Sequence, residues 1–204
     1  MAYQYDIFLS YRRNPESRKW LVEHFQPLLK HYVELELGRE VTVFRDDQDI
    51  EVGATWPARL GGALGNSRTL VALWTSLYFH SEWCSRELSV MLARERGEKF
   101  RTRKRPGLIF PVVLHDCEQL PPVLAPLQCL ALKNGYGLHF ARSSERLEEL
   151  EQQIAKQLAP SVAAAVKAAP RWRAKWPLRT AAKFLAAVKR KGPPRQTQIP
   201  RHSR

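Results

Sequence analysis

The chain has 204 residues, 44% of them hydrophobic, six Trp among them, and a formal net charge of +13. That length fits one domain with an extension, or two very small domains, and the apolar fraction suffices for a real core. The charge is unevenly placed. Twelve Lys or Arg and no Asp or Glu lie between Pro160 and Arg204, so residues 1–159 are nearly neutral and a polyanionic partner is expected for the tail, not for the globule.

Tyr5-Asp-Ile-Phe-Leu-Ser-Tyr11 gathers apolar and aromatic β-formers and is broken by Asn14-Pro15, which predicts a buried first strand. Arg12 and Arg13 follow its carboxyl end, either as a solvated pair or as a ligand contact. Residues 16 to about 37 carry Trp20, Leu21, Phe25, Leu28, Leu29, Tyr32 and Val33 at helical spacing, and Gly38 stops that helix. Residues 41–45 alternate β-branched and aromatic side chains as a second strand, and a polar loop follows. Residues 56–65 read as helical, 69–74 as a third strand, and 82–96 as a helix with Ser81 as N-cap. Residues 107–114 form a fourth strand whose Pro111 implies an irregularity or an edge. Residues 127–132 form a short fifth strand, and Ser143-Ser144 cap a last helix to about Leu158.

Strands alternating with helices predict right-handed βαβ units. The expected fold class is α/β, a flavodoxin-like five-stranded parallel sheet in the order 2-1-3-4-5 flanked by helices, with a basic C-terminal extension. The domain is expected to span residues 1–159, with 160–204 as basic linker, short amphipathic helix and disordered tail. Gly61-Gly-Ala-Leu-Gly65 follows a helix rather than a strand and so is no dinucleotide fingerprint. Cys84, Cys117 and Cys129 lack metal-ligand spacing and read as small buried residues of a reducing compartment. No signal peptide or transmembrane segment is expected, which predicts a cytoplasmic protein.

In a parallel sheet, ligands bind outside the carboxyl ends of the strands. Three segments converge there: Ser10-Tyr11-Arg12-Arg13, Asp46 to Gly53, and Ser76 to Glu87. Within the third, Tyr78 and Phe79 read as exposed in a loop before a helix opens at Trp83. Trp83, Cys84, Leu88 and Met91 supply the apolar face of that helix, and Glu87 lies beside it near the rim of the core. Taken alone, Glu87 also fits a surface carboxylate that compensates the helix dipole. Asp46, Asp47 and Asp49 lack the rest of a calcium-loop pattern, and no metal site is expected.

The ordered set of Asp6-Ile-Phe-Leu-Ser-Tyr-Arg-Arg-Asn14, Val43 to Trp56, an apolar third strand, and Ser-x-Trp-Cys-x-x-Glu-Leu at 81–88 resembles the TIR (Toll/interleukin-1 receptor) domain over roughly residues 3–158. The Trp-Cys-x-x-Glu-Leu signature is similar to that of bacterial and plant members that are enzymes. The resemblance implies an NAD⁺ glycohydrolase cleaving the nicotinamide–ribose bond, with NAD⁺ as substrate and no further cofactor. It implies Glu87 as the catalytic residue. Substrate contacts would come from Ser10, Tyr11, Arg12, Arg13, Asp46, Glu51, Gly53 and Trp83. It also implies self-association through residues 46–56, which would control activity, and an immune (antiphage) or toxin-like role. The alternative is a TIR interaction module without catalysis.

The tail reads as a basic amphipathic helix from Pro177, with Leu178, Ala181, Ala182, Leu185 and Val188 on one face and Trp172 and Trp176 beside it. Such a segment reads as membrane-surface, nucleic-acid or partner-docking material, with a polyanion or a separate sensor protein as the expected partner, or else as a disordered solubilising extension. Residues 194–204 are expected to be disordered.

Overall fold

Strand β1 (Tyr5–Tyr11) lies inside the sheet, paired in parallel with β2 (Val43–Arg45) on one side and β3 (Ser67–Trp74) on the other. The computed structural model describes residues 2–45, 62–102, 105–114, 117, 120–132, 136, 144–173 and 185–188. Beyond β3 come β4 (Ile109–Val113) and β5 (Leu130–Ala131), both parallel, so the order is 2-1-3-4-5 as the sequence predicts.

Side chains alternate across each strand and so feed two cores. Ile7, Leu9 and Tyr11 enter the first with Val71 and Leu73, whereas Phe8 enters the second with Leu70, Ala72 and Trp74. The first core is closed by two long helices. One runs from α1 (Pro15–Trp20) through a π-helical turn (Leu21–Phe25) into α2 (Gln26–Leu37). Asn14 caps it by accepting from the Ser17 N–H at 2.7 Å, and Gly38, at φ 65°, ends it in the left-handed conformation. The second core is covered by α3 (Ser76–His80) and α4 (Glu82–Gly97), with Ala63 and Leu64 from the helical residues 62–65.

The other long helix comprises α5 (Ser144–Gln153), a π-helical turn (Ile154–Leu158) and α6 (Ala159–Ala168). The helix expected to stop near Leu158 therefore continues ten residues further. Val162, Ala163 and Val166 are buried in the first core, so residues 160–168 pack with the domain rather than forming a linker. Both π turns stand immediately before a proline-bearing first turn, that of Pro27 and that of Pro160. A proline has no N–H for the carbonyl four residues back. The N–H of the preceding residue reaches five residues back instead, from Gln26 to Leu21 and from Ala159 to Ile154.

Pro111 stands in an interior strand, not at the sheet edge, but its surroundings are locally edge-like. Leu114 donates to the Trp74 carbonyl of β3, so by alternation the nitrogen of Pro111 faces the β5 side. There β5 pairs only with Val112 and Val113, and no ladder bond is lost. Two residues earlier, the buried Glu95 carboxylate and its partner Arg101 take the place of a strand. Glu95 Oε1 accepts from the N–H groups of Leu108 and Ile109, the latter at 3.0 Å, while the Arg101 guanidinium donates to the Ile109 carbonyl at 3.0 Å. Gly107 makes room for it: a Cβ there would lie 2.1 Å from the Arg101 guanidinium.

Asp6 ties together the amino end of the sheet. Its carboxylate receives two bonds from Arg39 at 2.8 Å, one ion pair from Arg68 at 3.2 Å and the Thr42 N–H at 3.3 Å. Burial alone would raise its pKa, but the Arg39 and Thr42 hydrogen bonds and the two cationic charges outweigh it and hold the carboxyl below the ordinary value of 3.8. Stability from this group is therefore complete above the ordinary value and is lost as pH falls through the depressed one. Asp6→Asn is expected to cost about 2 kcal/mol at neutral pH. Urea unfolding at pH 7 and at pH 3 checks this, and the gap between the two proteins should narrow at the lower pH.

The segment after α6 returns to the domain at this same end. Tyr3 donates to the Pro170 carbonyl at 2.8 Å, the Trp172 indole donates to Asn66 at 2.7 Å, and Arg173 pairs with Glu98 at 3.0 Å. Val188, in the helical residues 185–188, is buried in the second core. The remainder of the expected tail helix, Trp176 beside it and residues 194–204 lie outside the described residues.

Candidate active site

The carboxyl ends of β1 and β3 are capped by two short N-terminal devices. Thr75 accepts from the Tyr78 N–H at 3.2 Å and starts α3, and Ser81 accepts from the Cys84 N–H at 3.4 Å and starts α4. Cys84 Sγ lies 3.5 Å from the Tyr11 carbonyl, which pins the first turn of α4 to the end of β1. Along α4, Cys84, Glu87, Leu88, Met91, Arg94 and Glu95 recur at the i, i+3, i+4, i+7 spacing of a buried stripe, and all six are buried. Glu87 thus lies within the inward stripe, 7% exposed, and not beside it or on the surface.

Its partner is Ser10, on the face of β1 that also carries Phe8, opposite the small Ala72 of β3. Ser10 Oγ donates to Glu87 Oε2 at 2.6 Å and lies 2.7 Å from the Tyr78 hydroxyl, which is itself 3.4 Å from the Cys84 carbonyl. Tyr78 is fully buried. Burial pushes its phenol well above the usual tyrosine range, the neighbouring Cys84 and Glu87 push the same way, and the Ser10 hydrogen bond opposes them only in part.

Of the residues singled out by sequence, Ser10 and Glu87 meet directly. Tyr11 does not join them: its ring is buried in the first core, on the opposite face of the sheet. Arg12 and Arg13 are exposed just beyond β1. Trp83 is half-buried on α4, with the Arg86 guanidinium 5.6 Å from its ring centre. Asp46, Glu51 and Gly53 lie outside the described residues. Tyr78 was missed as a member of this cluster. The loop expected around it is the helix α3, and the available signal was Thr75, an N-cap residue type three positions earlier.

A match to the TIR domain covers residues 7–152. The chain belongs to the TIR domain family. The TMV resistance protein N of Nicotiana glutinosa is 31% identical over 86 residues, which make up 42% of this chain and 7% of that protein. Among solved structures, the TIR domain of the Toll-related receptor TRR-2 from Hydra magnipapillata is 20% identical, with a TM-score of 0.47 over 63% of this chain and 84% of that one. The TIR domains of the activated Roq1 resistosome, which recognises the pathogen effector XopQ, are 19% identical, with a TM-score of 0.38 over 80% and 96%. A metazoan TIR-STING receptor from C. gigas, solved with 2′,3′-cGAMP, is 20% identical, with a TM-score of 0.46 over 76% and 40%. Family membership rests on the match over residues 7–152, and a TIR fold by itself does not fix an activity. No helix among the described residues is long and apolar enough to cross a membrane.

Proposed function

We propose that this TIR domain is an NAD⁺ glycohydrolase that cleaves the nicotinamide–ribose bond, with Glu87 as its catalytic carboxylate. The observation that carries the reading is the buried Glu87 carboxylate at the carboxyl rim of the sheet, hydrogen-bonded by Ser10 at 2.6 Å. Nicotinamide departs as a neutral pyridine, so its departure requires no general acid. Positive charge develops on the ribose instead, as in other glycosidic cleavages, and a fixed carboxylate stabilises it. In this reading Arg12 and Arg13 face the pyrophosphate and Trp83 offers a ring for stacking.

Residues 46–56 are the proposed self-association segment, so that neighbouring copies complete the site. The cationic tail is proposed to bind a polyanion or a separate sensor protein. The relationship to a plant resistance protein supports a defence role, antiphage or toxin-like, in the cytoplasm. The test is incubation of concentrated protein with NAD⁺, with nicotinamide followed by chromatography. Release should rise more steeply than protein concentration. Absence of release at every concentration, in protein that still self-associates, would leave a non-catalytic interaction module.

The two arginines give a second measurement. Replacing both Arg12 and Arg13 with Ala is expected to raise the KM for NAD⁺ about tenfold with kcat little changed, since charge-assisted contacts to a non-reacting part of the substrate act mainly on binding. Identical KM values in wild type and double variant would make the pair solvated surface.

A further inference from the structure

We infer that Tyr78 and Ser10 form a one-way hydrogen-bond relay that positions the Glu87 carboxylate. The direction follows from counting protons. A hydroxyl has one proton, and an ionised carboxylate only accepts. The 2.6 Å contact therefore commits the Ser10 proton to Glu87 Oε2. Ser10 Oγ then accepts, and the Tyr78 hydroxyl at 2.7 Å is the donor; the Cys84 carbonyl, 3.4 Å from that hydroxyl, is the poorer alternative.

Ser10 and Tyr78 are 1% and 0% exposed, so bulk solvent does not reach either hydroxyl. Ser10 sits in β1 beside Ala72 of β3, and Tyr78 in the first turn of α3, which Thr75 caps. Ser10, expected from sequence to touch substrate, is in this assignment a positioning residue, as is Tyr78. Their burial and the raised phenol of Tyr78 keep the relay proton-complete across the neutral range. The titratable groups that act on Tyr78 are Cys84 and Glu87 from α4, while β1 turns Tyr11 to the opposite face.

The kinetic consequence rests on the glycohydrolase reading. Ser10→Ala is expected to lower kcat about 30-fold with KM within about twofold, because one charge-assisted bond is lost in a dry site. The acid limb of its kcat–pH profile should move to higher pH, since the ionised carboxylate loses a donor. Tyr78→Phe should move both in the same direction but less, and Ser10→Thr, which keeps the hydroxyl, should restore them. A kcat loss with an unmoved acid limb, or a folded Ser10→Thr protein as slow as Ser10→Ala, would overturn the relay and leave a packing role.

A readout without substrate separates this from the activity itself. The Glu87 carboxyl is titrated by NMR in ¹³C-glutamate-labelled protein and assigned by its disappearance in Glu87→Gln. A higher midpoint in Ser10→Ala upholds the relay even if wild type releases no nicotinamide. An unchanged midpoint overturns it even if wild type is active.

Discussion

Glu87→Gln lowers nicotinamide release by about a thousandfold or more while the protein stays folded; this is the expected result, and the scale is that of removing a fixed electrostatic partner from a water-excluded site. The substitution keeps the shape of the side chain. The amide oxygen still accepts from Ser10, so the 2.6 Å bond survives and the burial of the α4 stripe is undisturbed. What disappears is the negative charge that the developing ribose cation requires. Single-turnover chromatography at saturating NAD⁺ reports the chemical step, and thermal unfolding reports the fold. A Gln variant that turns over like wild type would remove Glu87 from the chemistry.

Glu95→Ala should produce the largest loss of stability, about 3 kcal/mol, since two buried main-chain N–H groups lose their acceptor at about 1–3 kcal/mol each. Four donors converge on this carboxylate: the N–H groups of Leu108 and Ile109, and two nitrogens of Arg101 at 3.0 and 2.8 Å. Without Glu95, two main-chain N–H groups at the entry to β4 lose their acceptor. Arg101, whose side chain is 32% exposed, recovers its hydration and adds little to the loss. Glu95→Gln retains an acceptor oxygen and should lose roughly half as much. Urea unfolding measures both, and a change below about 1 kcal/mol in Glu95→Ala would show that the strand entry is held by packing alone.

The sheet was legible in the sequence because its signals are local. Ile7 to Leu9 and Thr69 to Trp74 are short apolar runs between turn residues, and Asn14, Gly38 and Ser81 act at the helix ends where their residue types place them. Glu87 was legible through the motif around it. Its burial was readable too, since position 87 falls on the same spacing as Cys84, Leu88 and Met91. The hydrogen bonds were not. Ser10 meets residues 68 and 77 positions away, and no window of sequence contains such a contact. The helix end at Leu158 failed for a different reason. Pro160 reads locally as a break, whereas the π turn before it lets the helix absorb the missing N–H and continue to Ala168.

The anchoring of residues 170–173 has a mechanical consequence. Tyr3, Asn66 and Glu98, which receive this segment, precede β1, precede β3 and follow α4, so all three belong to the end of the sheet away from Glu87. A seven-residue strand separates the two ends by roughly 20 Å. A load borne by residues 170–173 therefore enters at the base of the domain, away from the rim. The contacts of residues 170–173 and the Glu87–Ser10–Tyr78 cluster thus stand at opposite poles of the sheet, like the handle and the bristles of a brush.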